Sequence, residues 1–139
     1  MKTNPTAKFK FDHVHIKCHD IKVVKRFYEE MFNAKTLSEG KARNIPLVMM
    51  EIDGTVITIS AAGDEEVLES QKNPTENIYV RYGIGHIAFR VDDLDEVARE
   101  LRAKGAEFVW EPRDIREGVR VAFIKAPEND VIEIVQRSK

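Results

Sequence analysis

The sequence predicts an α+β fold in which two tandem βαβββ modules form an open, mostly antiparallel, barrel-like sheet around a cleft. Three observations carry that prediction. A stretch near the start recurs in the second half of the chain. Each copy switches from a period of two to a helical period at an aspartate. Each copy then ends in apolar strands joined by a turn signal. The 139 residues suit one domain, 1–139, made of module one (10–61), a connector (62–84) and module two (85–137).

The repeat sets His13-Val14-His15-Ile16-Lys17-Cys18-His19-Asp20-Ile21 over His86-Ile87-Ala88-Phe89-Arg90-Val91-Asp92-Asp93-Leu94. In both, a histidine precedes an aspartate by seven residues and apolar residues alternate between them, which reads as a strand. Asp20 and Asp93 then read as helix N-caps, the second supported by Glu96 three residues on. The first helix carries Ile21, Val24, Phe27, Tyr28 and Met31 at helical spacing; the second carries Leu94, Val97, Ala98 and Leu101. Asn33 and Gly105 follow at matching places, and both residue types tolerate the left-handed conformation that ends a helix.

Second strands are expected over 34–38 and 106–110, and third strands over 46–52 and 119–125. Asp53-Gly54 is a hairpin signal, with Glu128-Asn129-Asp130 in its place in the second copy. Last strands follow over 55–60 and 130–135. Gly63, Asp64, Glu65 and Pro74 make the connector loop-like, with a short helical turn near 65–71. Residues 1–10, polar and lysine-bearing, read as a frayed start.

Composition narrows the function. With 42% hydrophobic and 33% charged residues the chain is an ordinary globular one. The net charge of −2, with bases scattered among acids, points away from nucleic acid and from an acidic membrane surface. No apolar run spans a bilayer and no signal peptide is expected. Cys18 is the only cysteine, which fits a reducing cytosol.

Alternation decides which side chains meet. Val14, Ile16 and Cys18, and in the second copy Ile87, Phe89 and Val91, face the helix. His13, His15 and Lys17, and His86, Ala88 and Arg90, then face away from it. On the last strands, Thr58 and Glu133 share the histidine face. Two such faces curling together would enclose a cleft. A lone strand histidine is commonly a surface residue, and a glutamate among valines and isoleucines commonly marks a solvated face. Here His13 and His86 hold equivalent places and Glu133 lies on their side. Two imidazoles and a carboxylate suit a divalent Zn, Ni, Co, Mn or Fe ion, and three ligands leave coordination open for substrate.

The second copy, Gly85-His86-Ile87-Ala88-Phe89-Arg90-Val91-Asp92-Asp93-Leu94 with Val119–Phe123 and Val131–Val135, resembles the vicinal oxygen chelate superfamily. That group includes glyoxalase I, methylmalonyl-CoA epimerase, extradiol dioxygenases, and fosfomycin and bleomycin resistance proteins. The resemblance covers roughly residues 12–136. It implies paired modules around a divalent metal, with ligand places at His13, Thr58, His86 and Glu133. Thr58 departs from the pattern, since glyoxalase I has glutamate there and the epimerase glutamine.

The resemblance further implies a homodimer and a small anionic substrate. The reaction it implies is a glyoxalase-like lyase or isomerase step through a metal-stabilised enediolate. Glu133 or His15 would be the proton-transfer group, and Lys17, Arg90, Arg120 and Thr58 would contact substrate. Two alternatives stand beside it. The His13, His86 and Glu133 set also matches an Fe(II) or Mn(II) extradiol-type dioxygenase. A resistance-type protein would bind a small molecule without turning it over.

Overall fold

The computed structural model describes residues 8, 11–61 and 84–138. Among these residues are two four-stranded sheets, two α-helices and a short 3-10 turn, Pro127–Asn129. Module one comprises β1 (His13–Cys18), α1 (Ile21–Phe32), β2 (Lys35–Ala42), β3 (Ile45–Ile52) and β4 (Thr55–Ala61). Module two repeats the order with β5 (Ile87–Arg90), α2 (Leu94–Ala103), β6 (Phe108–Arg116), β7 (Val119–Lys125) and β8 (Val131–Arg137). The sheets run β1-β4-β3-β2 and β5-β8-β7-β6. First and last strands pair in parallel and the other neighbours are antiparallel. The α+β expectation of two open modules therefore holds. The connector's predicted helical turn and the predicted frayed start lie outside the described residues, apart from Lys8.

Each aspartate caps its helix. Asp20 Oδ1 accepts from the backbone N–H groups of Lys22 and Val23 at 3.1 and 3.3 Å, and Asp93 Oδ1 from Glu96 at 3.1 Å. These bonds satisfy donors that the first helical turn leaves without partners. Asn33 adopts φ 55° at the end of α1, and Gly105 adopts φ 93° just past α2. The predicted Asp53-Gly54 hairpin has φ values of 48° and 78°.

The second strands run longer than expected, to Ala42 and Arg116. β2 is exposed along its whole length, so no apolar alternation marks its far half. Its turn is Arg43-Asn44, both at positive φ. β6 is broken by three register shifts, which hide its period.

One apolar core joins the modules on the helix side of both sheets, built on Val24, Tyr28, Met50, Ile59, Leu94, Leu101, Ile132 and Ile134. Phe32 of α1 meets Phe89 of β5 across the join, with ring centroids 4.5 Å apart. Glu128, at φ 60°, sends its carboxylate across to the backbone N–H groups of His19 and Asp20 at 2.5 and 2.8 Å. An anion there is favoured by the positive end of α1. A second, smaller cluster (Val119, Val121, Phe123 and Val135) lies on the other face of module two. No helix among the described residues is long and apolar enough to cross a membrane.

Candidate metal centre

β5 and β8 pair in parallel with Ala88 opposite Glu133, so His86, just before β5, projects to the same face as Glu133. His86 Nε2 and Glu133 Oε2 are 2.8 Å apart. The pair is half-buried, with side-chain exposures of 36% and 18%. Phe123, opposite Glu133 on β7, meets the His86 ring edge-on at 5.2 Å. Trp110 of β6 meets Phe123 in turn at 5.0 Å. The ladder of rings limits how His86 can turn, which fixes the direction of its donor nitrogen.

The matching face of module one is built differently. β1 and β4 pair with His13 opposite Val56, His15 opposite Thr58 and Lys17 opposite Ser60. Thr58 therefore takes the place that Glu133 takes in module two. His13 is exposed, and its Nδ1 lies 2.7 Å from Asp12 Oδ2. His15 Nε2 lies 2.7 Å from Ser60 Oγ. Ser60 and Thr58 are both buried. Ser60 was missed at the sequence level, although it lies two residues from Thr58 and so shares its face.

Of the residues expected at the site, His86 and Glu133 are brought together. His13 faces outward on its own module. Among the described residues, no three His, Cys, Asp or Glu side chains gather as a metal would need. His15, Lys17 and His86 line a cleft of about 220 Å³ between β1 and β5, with Gly85 and Asp130 also on its walls. Arg90 is exposed and lies opposite Val135 on the Glu133 face. Arg120 lies opposite Gln136, on the helix face, where it bonds Asp95 at 2.9 Å and Asp114 at 3.1 Å. Gln136 itself accepts from the Leu94 N–H at 2.7 Å, at the start of α2. The strand period thus puts Arg120 on the opposite side of the sheet from Glu133.

Two pKa shifts belong to the core beneath β1. Burial pushes the Cys18 thiol up to about 12, helped by the charges of Glu128, Asp20 and Asp130. Burial, with a smaller contribution from Asp130, also pushes the Tyr28 hydroxyl up. Both groups stay protonated at neutral pH, and neither is a nucleophile there.

Residues 10–134 match the model of the glyoxalase/bleomycin resistance protein/dioxygenase superfamily. The chain belongs to that superfamily. Within it, the chain is 28% identical over 130 residues to a lactoylglutathione lyase of Arabidopsis thaliana, covering 92% of this chain and 44% of the relative. It is 26% identical over 153 residues to a lactoylglutathione lyase of Schizosaccharomyces pombe, covering 99% of this chain and 50% of the relative. The chain therefore spans about half the length of these relatives. Among solved structures, a glyoxalase family protein from Bacillus cereus superposes with TM-score 0.75 at 18% identity, covering 99% and 100% of the two chains. The fosfomycin resistance protein FosX of Listeria monocytogenes superposes with TM-score 0.70 at 20% identity, covering 95% and 96%. These structural likenesses show the superfamily fold.

Proposed function

We propose that the chain is a divalent-metal lyase or isomerase of glyoxalase type, acting on a small anionic carbonyl compound. His86 and Glu133 would hold the metal together with His13 from a second copy of the chain. The observation that carries this reading is the 2.8 Å approach of His86 Nε2 to Glu133 Oε2. It brings an imidazole nitrogen at the entry to β5 and a carboxylate oxygen on β8 to one point. Those are donor types that zinc, nickel, cobalt, manganese and ferrous iron accept. Two donors are too few for a catalytic site. The outward-facing His13 is the natural third, and a homodimer is the arrangement that could supply it. Lactoylglutathione lyases among the relatives support the reaction type.

When bound, the metal would polarise a substrate carbonyl and so acidify the neighbouring C–H group. The rest falls to side chains. Glu133 moves a proton at the carbon next to the carbonyl. His15, oriented by Ser60, stands beside Thr58, whose hydroxyl cannot act as a base near neutral pH. Lys17 and Arg90 attract the anionic group. A soluble cytoplasmic setting fits the single, buried cysteine.

The test is metal analysis joined to turnover of the methylglyoxal–glutathione adduct. His86→Ala and Glu133→Gln should each hold less than about 0.1 metal per chain and lose on the order of a thousandfold in rate. His13→Ala should do the same. Mixing His13→Ala chains with His86→Ala chains should restore about a quarter of wild-type activity, because half the dimers are mixed and each of those contains one intact site. A chain that retains no divalent ion and turns over no adduct with any of them sinks the reading.

One observation favours a second reading. Thr58 leaves a set of two histidines and one carboxylate, the ligand composition of Fe(II) oxygenases. Oxygen uptake with a catechol after anaerobic Fe(II) loading would support it. A protein that binds its ligand but retains no metal would instead be a resistance-type binder.

A further inference from the structure

The face that bears Glu133 also bears an array of arginines. Strand pairing sets out its rows. One row runs Ala88, Glu133, Phe123, Trp110 across β5, β8, β7 and β6. The next row, two residues along, runs Arg90, Val135, Val121, Arg113. Beyond it lie Arg137, Val119 and Arg116. Rows two residues apart stand about 7 Å from each other.

The side chains themselves confirm the link between the first two rows. The Arg113 guanidinium carbon sits 4.3 Å from the Trp110 ring centroid. Trp110 touches Phe123, and Phe123 touches His86. A chain of contacts therefore runs from the donor nitrogen to Arg113.

These arginines differ from the others of module two. Arg102 pairs with Glu111, and Arg120 pairs with Asp95 and Asp114. Arg90, Arg113, Arg116 and Arg137 make no ion pair among the described residues. Their charge is not cancelled on the face itself. Glu133 is committed to His86, and the side chains between Arg90 and Arg113 are the buried Val121 and Val135. The acids of β6, Glu111 and Asp114, are engaged by Arg102 and Arg120. Stacking on Trp110 occupies the face of the Arg113 guanidinium and leaves its N–H edge for an oxyanion. Arg90 and Arg113 are three strand spacings apart at the backbone, about 14 Å, so two long side chains reaching inward can close on one small group.

We propose that this row is an oxyanion subsite. It takes the terminal carboxylate or phosphonate of a ligand whose other end lies at His86–Glu133, joined by a short chain lying against Trp110. The substrate class of the proposed reaction is then a compound whose carbonyl end and terminal oxyanion are separated by a short chain. The inference rests on the proposed site for its second anchor, but the subsite itself needs no metal.

The experiment is calorimetric titration of the metal-free full-length chain at low ionic strength. Butyrate, whose one carboxylate the subsite takes, should bind at least about tenfold more tightly than its neutral analogue butyramide. Arg113→Gln and Arg90→Gln should each weaken butyrate about tenfold and leave butyramide unchanged. Arg113→Lys should fall between wild type and Arg113→Gln, keeping charge and losing the fork. Arg102→Gln, on the other face, should change neither ligand. Tighter binding of 4-phosphonobutyrate than glutarate would name phosphonate as the preferred group, and the reverse order would name carboxylate. Equal affinity for butyrate and butyramide overturns the subsite, as does an equal loss in Arg102→Gln and Arg113→Gln. With Zn(II) present, 2-hydroxyglutarate should gain over glutarate. If that gain is missing while the preference for butyrate over butyramide stands, the metal reading fails and the subsite survives.

Discussion

The two modules share an order of strands and differ in what they place on the face away from the helix. Module one presents His15, Lys17, Thr58 and Ser60, a polar set with a hydrogen bond between His15 and Ser60. Module two presents a histidine–glutamate pair set against a wall of Phe123, Trp110 and valines, with arginines beyond. The frame of a repeat therefore does not dictate its chemistry. In the parallel β1–β4 and β5–β8 pairs, one residue of the last strand lies opposite His15 or Ala88, and that residue decides the character of the module. It is Thr58 in one and Glu133 in the other.

The sharpest way to break this contrast is to make module one like module two. Thr58 is 6% exposed. Thr58→Glu buries a carboxylate beside His15, whose Nε2 is already engaged by Ser60, and should cost about 4 kcal/mol in metal-free protein. Added zinc or nickel should restore most of that loss if the residue becomes a ligand. Urea unfolding with and without metal reads both effects.

The wall of module two gives the next largest effect. Phe123 is 5% exposed and packs against His86 and Trp110. Phe123→Ala should destabilise the fold by about 3 kcal/mol and loosen the orientation of His86, so that metal affinity falls as well. Phe123→Leu should recover most of the stability and less of the affinity. Denaturation and metal titration on the same samples separate the two.

The smallest effect concerns how the modules are fastened. The start of α1 receives a carboxylate from the other module, Glu128, whereas the start of α2 receives the Gln136 amide of its own. Glu128→Ala should cost about 1 kcal/mol, because the lost charged bonds are partly offset by water at an exposed site. Hydrogen exchange at His19 and Asp20 should quicken, with α2 unaffected. Equal quickening at both helices would erase the distinction.

Much of the frame was legible because its signals are local. Asp20 and Asp93 announce caps, Asn33 and Gly105 announce helix ends, and alternation assigns His86 and Glu133 to one face. The far halves of β2 and β6 were not legible. β2 is exposed throughout, and the bulges in β6 shift its parity, which also hid Trp110 and Arg113 from any count by twos. The pairing of Arg120 with Asp95 and Asp114 on the helix face carries no local signal either. The separation of His13 from His86 and Glu133 lay beyond reach for a different reason. A repeat fixes pairing inside each module. How the modules meet depends on the docking of Phe32 on Phe89 and of Glu128 on α1, contacts with no counterpart in the repeat.

The parallel pairing of β5 with β8 has a consequence in time as well as in space. His86 is made early and Glu133 forty-seven residues later. They meet only after α2, β6 and β7 have been laid down and the final strand has slid in beside the first. A ribosome-bound or truncated chain that lacks β8 therefore has half a pair and a bare strand edge. The donors can come together only once β8 is present, so chemistry that depends on them waits for the whole module.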